Sequence, residues 1–265
     1  MEYPIHPEIG TFERTMNTAI TGASSGIGAA LAEECARRGD MLFLCGRNGK
    51  RLAAVADRCR ALGASAVYES IHDVRDERAT CEWLEECEKI APIERVFANA
   101  GIGTGIENEE NVRATFATNV NGCLNVVLPA IEIFRRRAGS GWKQILITSS
   151  IAGYGPLSTC PAYSATKSCM KTWALALRGH LAAEGIKVSA ICPGFVRSGI
   201  TERNTCPMPF FMEAPRAARI ILARADRNAG LIAFPWPMRL AAWLFSILPQ
   251  PLAELLSRLL PPKNA

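Results

Sequence analysis

The sequence predicts an α/β fold in which a doubly wound parallel sheet of about seven strands carries helices on both faces. Two observations support this prediction. Short, continuously apolar runs alternate along the chain with longer segments of helical period. Continuous apolar runs are typical of parallel strands that are buried on both faces. Right-handed crossovers between such strands place helices on both sides of the sheet.

The strands and helices can be assigned in order. Seven apolar runs are predicted strands: 17–21, 41–45, 66–71, 94–98, 144–148, 187–192 and 230–234. Six segments between them are predicted helices: 26–38, 49–62, 76–90, 108–137, 161–184 and 213–226. No linker divides this pattern. We therefore expect one domain over residues 16–235, preceded by a loose arm (1–15) and followed by an apolar helical tail (236–265).

Composition restricts the class of protein. The 265 residues are 49% hydrophobic and 21% charged, and the net charge is +5. Basic residues are scattered rather than gathered in a stripe with aromatic residues, which argues against nucleic-acid binding. The ten cysteines form no C-x-x-C pair, so we expect no metal site and a reducing compartment. The first residues lack the pattern of a secretory signal, and we expect a cytoplasmic location.

A glycine-rich segment, TGASSGIG at 21–28, joins the first predicted strand to the first predicted helix. A tight turn at this junction presents backbone N–H groups and the positive end of the helix dipole to a pyrophosphate. A lone glycine motif also fits a structural turn, but its position at the first strand–helix junction favours a dinucleotide. The prediction is a Rossmann-like fold whose cofactor contacts include Gly22, Ser24, Ser25, Gly26, Ile27 and Gly28.

The turn after the second strand indicates which dinucleotide is bound. No carboxylate occurs from Met41 through Ala56, whereas NAD-binding proteins usually carry an Asp or Glu about twenty residues beyond the glycines. Arg47 lies in a basic turn at this point, and an arginine can grip a 2′-phosphate that an acid would repel. The sequence therefore favours NADP(H) over NAD(H). A solvated basic turn is the alternative.

Tyr163 and Lys167 lie four residues apart in a predicted helix, so both side chains project from one face. A phenol exchanges protons at neutral pH only when its anion is stabilised, and an ammonium one turn away supplies that stabilisation. The pair alone is weak evidence. However, Ser150 and Asn99–Gly101 follow two other strands, at the edge where open α/β sheets bind ligands. We expect these residues to converge on the cofactor crevice.

Together these motifs resemble the short-chain dehydrogenase/reductase family, specifically its single-domain branch. The resemblance covers about residues 16–235 and implies an NADP(H)-dependent oxidoreductase that moves a hydride between nicotinamide and a carbonyl/alcohol pair. Ala98 departs from the family by replacing the first asparagine of its N-N-A-G motif. The motifs that carry the resemblance are TGASSGIG, ANAG, Asn119 in FATNVNG, Ser150, Tyr163 with Lys167, and Pro193-Gly194.

The resemblance implies a role for each of these residues. Tyr163 would be the general acid in carbonyl reduction, Lys167 would lower its pKa and bind the nicotinamide ribose, and Ser150 would polarise the substrate oxygen. Asn119 would hold a water molecule in a proton relay. The other expected cofactor contacts are Asp73 on the adenine side, for which a helix N-cap is the alternative, and Asn99, Ala100, Gly101, Pro193, Gly194, Val196 and Ser198.

Residues 195–212 follow Pro193-Gly194 and are predicted to form a lid over the substrate. Four side chains would give that lid an apolar inner face: Met208, Phe210, Phe211 and Met212. This favours a hydrophobic or lipid-like ketone as the small-molecule substrate, although packing beneath the lid is an equal alternative.

Two helical pieces of the tail, 238–247 and 251–260, are apolar over wide arcs. Neither reaches the roughly eighteen apolar residues that span a bilayer. Three interpretations remain open. The tail packs on the body or on a sister subunit of a homo-oligomer, or it lies in a membrane interface, which the pairing of Trp236 and Trp243 with arginines suits, or it covers a substrate channel.

Two other functions compete with the oxidoreductase as predictions. A catalytically silent, nucleotide-sensing regulator would be free to lose the Ser, Tyr and Lys of the predicted site, yet all three are present. A nucleotide-sugar epimerase or dehydratase would use the same Tyr/Lys pair, but it usually needs a longer C-terminal substrate domain and a different glycine spacing. The oxidoreductase is the preferred prediction.

Overall fold

The computed structural model describes residues 14–104, 106–137, 139, 141–202 and 207–259. Seven parallel strands form one sheet in the order β3-β2-β1-β4-β5-β6-β7. The predicted doubly wound α/β fold is thus confirmed, and the strand order reverses between β1 and β4. The strands are β1 (Asn17–Thr21), β2 (Met41–Cys45), β3 (Ala66–Ser70), β4 (Arg95–Ala98), β5 (Gln144–Thr148), β6 (Lys187–Pro193) and β7 (Leu231–Phe234).

Helices cover both faces of the sheet. Side chains of α1, α2 and α7 belong to the hydrophobic core on one face, and those of α3, α5 and α6 to the core on the other. The helices in the described part of the chain are α1 (Gly26–Ala36), α2 (Gly49–Ala61), α3 (Glu77–Ile90), α4 (Glu109–Phe116), α5 (Gly122–Arg136), α6 (Pro161–His180), α7 (Ala214–Asp226), α8 (Trp236–Ser246) and α9 (Gln250–Leu259).

Strand β2 illustrates why the predicted strands are continuously apolar. Leu42 and Leu44 enter the core shared with α1, α2 and α7, whereas Phe43 and Cys45 enter the opposite core. Successive side chains of a strand point to opposite faces, so a sheet with helices on both sides favours apolar residues at successive positions. All four of these side chains are 0% exposed.

The predicted helix 108–137 is interrupted in the structure. A π-helical turn, Ala117–Asn121, separates α4 from α5. Such turns are rare and are frequently found at functional sites. The apolar periodicity of the segment gives no sign of the break. At the other predicted helices and strands the differences are confined to the ends; α6, for example, ends at His180 rather than at residue 184.

Residues 1–13 of the predicted arm and 260–265 of the predicted tail lie outside the described residues. The two tail helices are present as α8 and α9. No helix among the described residues has both the length and the apolar character needed to cross a bilayer.

A buried ion pair joins the amino ends of the central strands to the two helices behind them. Arg95, at the start of β4, is 1% exposed. Its Nη2 donates to Asp226 Oδ1 at 2.6 Å, and its Nε donates to Gln144 Oε1 at 2.9 Å. Asp226 also accepts from Arg38 Nη1 at 2.7 Å. Each charge of this network therefore has a partner of opposite sign, as burial requires.

We predict that Arg95→Ala lowers the free energy of unfolding by about 3 kcal/mol, because removal of one partner strands a buried charge. Urea unfolding measures the change. The matched control is Arg113→Ala, which breaks the exposed pair of Arg113 with Glu109 on α4 and should cost about 0.5 kcal/mol or less. Equal losses in the two variants would contradict this account of the network.

Candidate active site

A cleft of about 310 Å³ opens at the carboxyl ends of the strands. It lies where the strand order reverses between β1 and β4, the position at which open α/β sheets bind ligands. Gly28 and Asn119 are the two predicted site residues that do not line it. The other predicted residues all do: Gly22, Ser24, Ser25, Gly26, Ile27, Arg47, Asp73, Asn99, Ala100, Gly101, Ser150, Tyr163, Lys167, Pro193, Gly194, Val196 and Ser198.

The glycine turn brings backbone close to backbone. Gly22 has φ +67° and Gly26 has φ +56°, a region that favours glycine. A Cβ on Gly28 would lie 2.2 Å from the carbonyl oxygen of Gly22, which explains why Gly28 lies beside the cleft without lining it. Helix α1 begins at Gly26, and the side chain of its N-cap, Ser25, makes no capping hydrogen bond. The N–H groups of the first turn are therefore available to an anion.

Asn99 connects the ends of three strands. Its Nδ2 donates to the carbonyl oxygen of Thr21, the last residue of β1, at 3.1 Å, and its Oδ1 accepts from Thr148 Oγ1 of β5 at 3.2 Å. Asn99 itself directly follows β4. Ala98, the departure from the family motif, is buried at the end of that strand. The support that joins the strand ends thus comes from Asn99.

The π-helical turn carries Asn119 behind the cleft wall. The Asn119 amide exchanges two hydrogen bonds with the backbone of Ile102, accepting from N at 2.8 Å and donating to O at 2.9 Å. A Cβ on Gly101 would lie 3.1 Å from Asn119 Oδ1 and 3.2 Å from Lys167 Nζ. Asn119 therefore fixes the loop after β4 and lies close to the Lys167 amine.

Helix α6 presents Tyr163 and Lys167 to the cleft. Lys167 Nζ donates to the carbonyl oxygen of Thr148 at 3.0 Å and lies 5.7 Å from the centroid of the Tyr163 ring. Ser149 Oγ donates to the carbonyl oxygen of Lys167 at 2.5 Å. A Cβ on Gly153 would lie 2.6 Å from the same carbonyl. The segment after β5 thus packs directly on the α6 backbone that carries the pair.

Burial shifts the pKa values of this pair in opposite directions. It raises the pKa of Tyr163 to about 12, against the effect of a hydrogen bond with Ser150. It lowers the pKa of Lys167 to about 8. The resemblance implies that Lys167 lowers the phenol pKa. In this geometry the phenol pKa rises instead, because desolvation dominates and the amine is directed to Thr148 O.

The basic turn after β2 faces a carboxylate from another strand. Arg47 Nη1 lies 3.4 Å from Asp73 Oδ2, and Arg75 holds the same oxygen at 2.8 Å. Burial acts to raise the pKa of Asp73, but the hydrogen bonds and charge of Arg75, with the charge of Arg47, outweigh it and lower the pKa. Arg51 also lines the cleft here. Two arginines thus hold one carboxylate, and a third lines the same cleft.

Several residues of the cleft wall were missed as site residues. His72 precedes Asp73 in HDV after β3, the one signal for it in the sequence. Its Nε2 lies 3.3 Å from Cys45 Sγ and its Nδ1 2.9 Å from Ser70 Oγ, and burial lowers its pKa. The other lining residues not assigned from the sequence are Cys45, Gly46, Asn48, Arg51, Val74, Ile102, Gly103, Thr118, Thr148, Ser149, Gly199, Ile200 and Thr201.

The lid differs from its predicted form. Residues 203–206 lie outside the described residues. Phe210 is 58% exposed and Phe211 37% exposed, whereas Met212 is buried. The Arg197 guanidinium carbon lies 5.3 Å from the centroid of the Phe211 ring. This contact holds the ring on the outer surface. The part of this segment that lines the cleft is Val196 and Ser198–Thr201.

A carboxylate from the loop after β4 caps helix α6. Pro161 occupies the first turn of the helix and has no N–H, and the next N–H, that of Ala162, donates to Glu107 Oε1 at 3.1 Å and Oε2 at 3.3 Å. Tyr163 follows immediately. The bond satisfies a terminal donor and places negative charge at the positive end of the helix dipole. Glu107 therefore ties the loop at the cleft mouth to the turn that carries Tyr163.

We predict that Glu107→Ala lowers the free energy of unfolding by about 1 kcal/mol, the usual cost of a lost N-terminal cap. Urea unfolding measures it. Glu107→Gln keeps an oxygen acceptor without the charge and should lose clearly less. A wild-type unfolding midpoint in the Ala variant would show that the capping bond contributes nothing.

The fold and the cleft define a nucleotide-binding protein of the Rossmann type. Comparison with known proteins then assigns the family. The short chain dehydrogenase family model matches residues 17–207, and the chain belongs to the short-chain dehydrogenase/reductase family of oxidoreductases.

Three known proteins show how far the likeness extends. An uncharacterized oxidoreductase from Myxococcus xanthus is 36% identical over 256 residues, which cover 93% of this chain and 98% of the relative. A 3-dehydrosphinganine reductase from Arabidopsis thaliana is 32% identical over 66% of this chain and 53% of the relative. The solved short-chain dehydrogenase from Sphingobium yanoikuyae in complex with NADPH has a TM-score of 0.74 and 28% identity, and the match covers 89% of this chain and 97% of that one.

Proposed function

We propose that the protein is an NADP(H)-dependent reductase of a hydrophobic, lipid-like ketone. The observation that carries this proposal is the convergence of Tyr163, Ser150 and Lys167 on one cleft, with Tyr163 and Ser150 joined by a hydrogen bond. No observation favours the silent regulator or the nucleotide-sugar enzyme over it. We retain one catalytic domain over residues 16–235, with a small molecule as its substrate.

The glycine turn and the loop after β4 fit a dinucleotide. Gly22 and Gly26 have no side chain to fill the cleft. A Cβ on either residue would lie only 2.9 Å from an atom of the opposite wall. The first turn of α1 offers its N–H groups to the pyrophosphate. The remaining proposed contacts are Ser24, Ser25, Ile27, Asp73, Asn99, Ala100, Gly101, Pro193, Gly194, Val196 and Ser198.

When bound, NADPH supplies the hydride for carbonyl reduction. The phenol supplies the proton: at neutral pH Tyr163, with a pKa of about 12, carries the proton on Oη that the substrate oxygen receives. Ser150 donates a hydrogen bond to the same oxygen and polarises the carbonyl. Lys167, with a pKa of about 8, is mostly protonated at neutral pH and stabilises the phenolate left behind.

After Tyr163 has given its proton to the substrate oxygen, the phenolate takes up a new proton by way of Lys167 and Asn119. Lys167 is buried and directs its amine to Thr148 O. Asn119 lies beside that amine, next to Gly101, at the position where a relay water would be held. Asn119 belongs to the π-helical turn, and its closeness to Gly101 and the amine supports a positioning role for this side chain.

The basic turn supports NADP(H) over NAD(H). Arg47 and Arg51 line the cleft, and the one carboxylate of the group, Asp73, is held by Arg75. Helix α2 begins at Gly49, next to these side chains, and a helix N-terminus favours an anion. A 2′-phosphate would therefore meet net positive charge.

The choice of a lipid-like ketone rests on two observations. Ile102, Ile200 and Val196 give the nicotinamide end of the cleft an apolar lining. A relative that is 32% identical carries the name 3-dehydrosphinganine reductase, and a long-chain ketone suits an apolar wall of this kind.

We predict that Tyr163→Phe lowers kcat/KM for NADPH-dependent ketone reduction by roughly a hundred- to ten-thousand-fold, because the substrate oxygen loses its proton donor. Loss of NADPH absorbance across a panel of ketones measures activity, and quenching of protein fluorescence measures NADPH binding, which should persist. The control is Tyr68→Phe on β3, where Phe keeps the ring stacked on Phe43. A wild-type protein that binds NADPH but reduces no ketone would instead be a regulator.

We predict that Arg47→Asp lowers the ratio of kcat/KM with NADPH to kcat/KM with NADH by roughly tenfold or more, because a carboxylate repels the 2′-phosphate that the guanidinium attracts. Steady-state kinetics with both cofactors measure the ratio. Arg113→Asp on α4, which makes the same charge change away from the cleft lining, should leave it unaltered. A wild-type protein that uses NADH better than NADPH would refute the cofactor assignment.

A further inference from the structure

Helix α9 carries its large apolar side chains on the side away from the body of the protein. Ala253 and Ser257, one turn apart, are buried against the body. The four leucines follow a helical spacing of i, i+3, i+4 and i+7, so they form a single stripe. They are 46–72% exposed: Leu252, Leu255, Leu256 and Leu259. A surface helix normally buries such a stripe in the core, so the amphipathic pattern of α9 is inverted.

Helix α8 repeats this arrangement. Met238 and Phe245 face the body, where a Cβ on Gly194 would lie 2.8 Å from Met238 Sδ and a Cβ on Gly155 would lie 2.6 Å from Phe245 Cε1. A second stripe, spaced i, i+4, i+7, i+8 and i+11, covers the outer side of the helix and the residue after it. Its members are 46–59% exposed: Trp236, Leu240, Trp243, Leu244 and Ile247.

We call the nine exposed side chains of α8, α9 and Ile247 the apolar tail surface. Large apolar side chains exposed together along a helix mark a site of interaction, whereas apolar side chains exposed singly are ordinary. The surface is fixed to the body and does not hang from it. Ser158 N donates to Ser257 Oγ at 2.7 Å, and Ser158 Oγ donates to the carbonyl oxygen of Ser257 at 2.7 Å.

The chemistry of this surface matches a lipid bilayer. A typical protein interface carries about one hydrogen bond for every 100–200 Å², whereas the two stripes consist of leucine, isoleucine and tryptophan, of which only tryptophan has a side-chain donor. Arg239 is the one charged residue between Arg227 and Glu254 in the sequence, and Glu254 is paired with Arg258 on its own helix. The surplus charge beside the surface is therefore positive, which suits anionic lipid headgroups.

The two helices are also suited to lie in the plane of a membrane. Neither has the length and apolar character to cross a bilayer. Each has one apolar side, and Trp236 and Trp243 lie next to Arg239, the arrangement typical of interfacial helices. We propose that the apolar tail surface docks the protein on the surface of an anionic lipid bilayer, with α8 and α9 lying in the interface.

The docking surface borders the cleft. Met238 lies on the inner side of α8 and contacts Gly194, which lines the cleft. The inner side of α8 therefore supports the cleft wall, while its outer side belongs to the apolar tail surface. Docking would bring the cleft close to a ketone dissolved in the bilayer, and only this consequence rests on the proposed function. Docking itself does not depend on any activity, and its test measures binding to lipid alone.

The test is cosedimentation of the full-length protein with vesicles of phosphatidylcholine and phosphatidylglycerol. The double variant Leu255→Glu/Leu259→Glu changes two outward leucines of α9. We expect it to lower the vesicle partition coefficient by roughly tenfold or more, since each leucine loses its apolar burial. The matched control is Ile90→Glu/Leu128→Glu, which places the same charges at two exposed apolar positions on α3 and α5 and should partition like the wild type.

Light scattering without vesicles measures the molar mass of each variant and so detects a dimer that forms through the apolar tail surface. Circular dichroism and NADPH binding verify that each variant is folded. A variant of unchanged mass that no longer sediments with vesicles supports the proposal. The proposal is overturned if the wild type stays in the supernatant or if the α9 variant sediments like the wild type. It is also overturned if the wild type does not bind vesicles and the α9 variant has half the mass of the wild type, because the surface would then join two copies of the chain.

Discussion

The hydrogen bonds of Asn99 hold together the three strand ends on which the cleft depends. β1 and β4 are neighbours in the sheet, but their helices leave toward opposite faces, so the chain separates there and a crevice opens. Asn99 closes the bottom of that crevice by bonding to Thr21 and Thr148. A Cβ on Gly28 would lie 2.7 Å from Asn99 Nδ2. The position of the amide after β4 therefore leaves no room for a side chain at Gly28.

Local patterns predicted the strands well because most positions of a doubly covered strand are apolar, a property that is visible in each short run of residues. The same reasoning could not find the π-helical turn at Asn119, since α4, this turn and α5 follow one another without an intervening loop. It also missed the meeting of Arg47 with Asp73. These residues are 26 positions apart, and β2 and β3 bring them together through sheet register.

The tyrosine and lysine were found because helical spacing alone places them on one face, but their protonation could not be derived from that spacing. Burial penalises the charged form of each group, so it raises the pKa of Tyr163 and lowers that of Lys167. A phenol that holds its proton is ready to donate it, whereas oxidation of an alcohol would need the phenolate. The buried environment of the pair therefore keeps the phenol protonated, which is the form that the proposed ketone reduction uses.

Stability and chemistry occupy opposite edges of the same sheet. The charges of Arg95, Asp226 and Arg38 lie at the amino ends of the strands, where they hold α1 and α7 against the sheet, while the carboxyl ends carry the cleft. Helix α8 belongs to the second group, because its inner side touches Gly194 and its outer side is apolar. The contact of Met238 with Gly194 therefore couples the position of α8 to the cleft wall, so the packing of the tail and the shape of the cleft depend on one another.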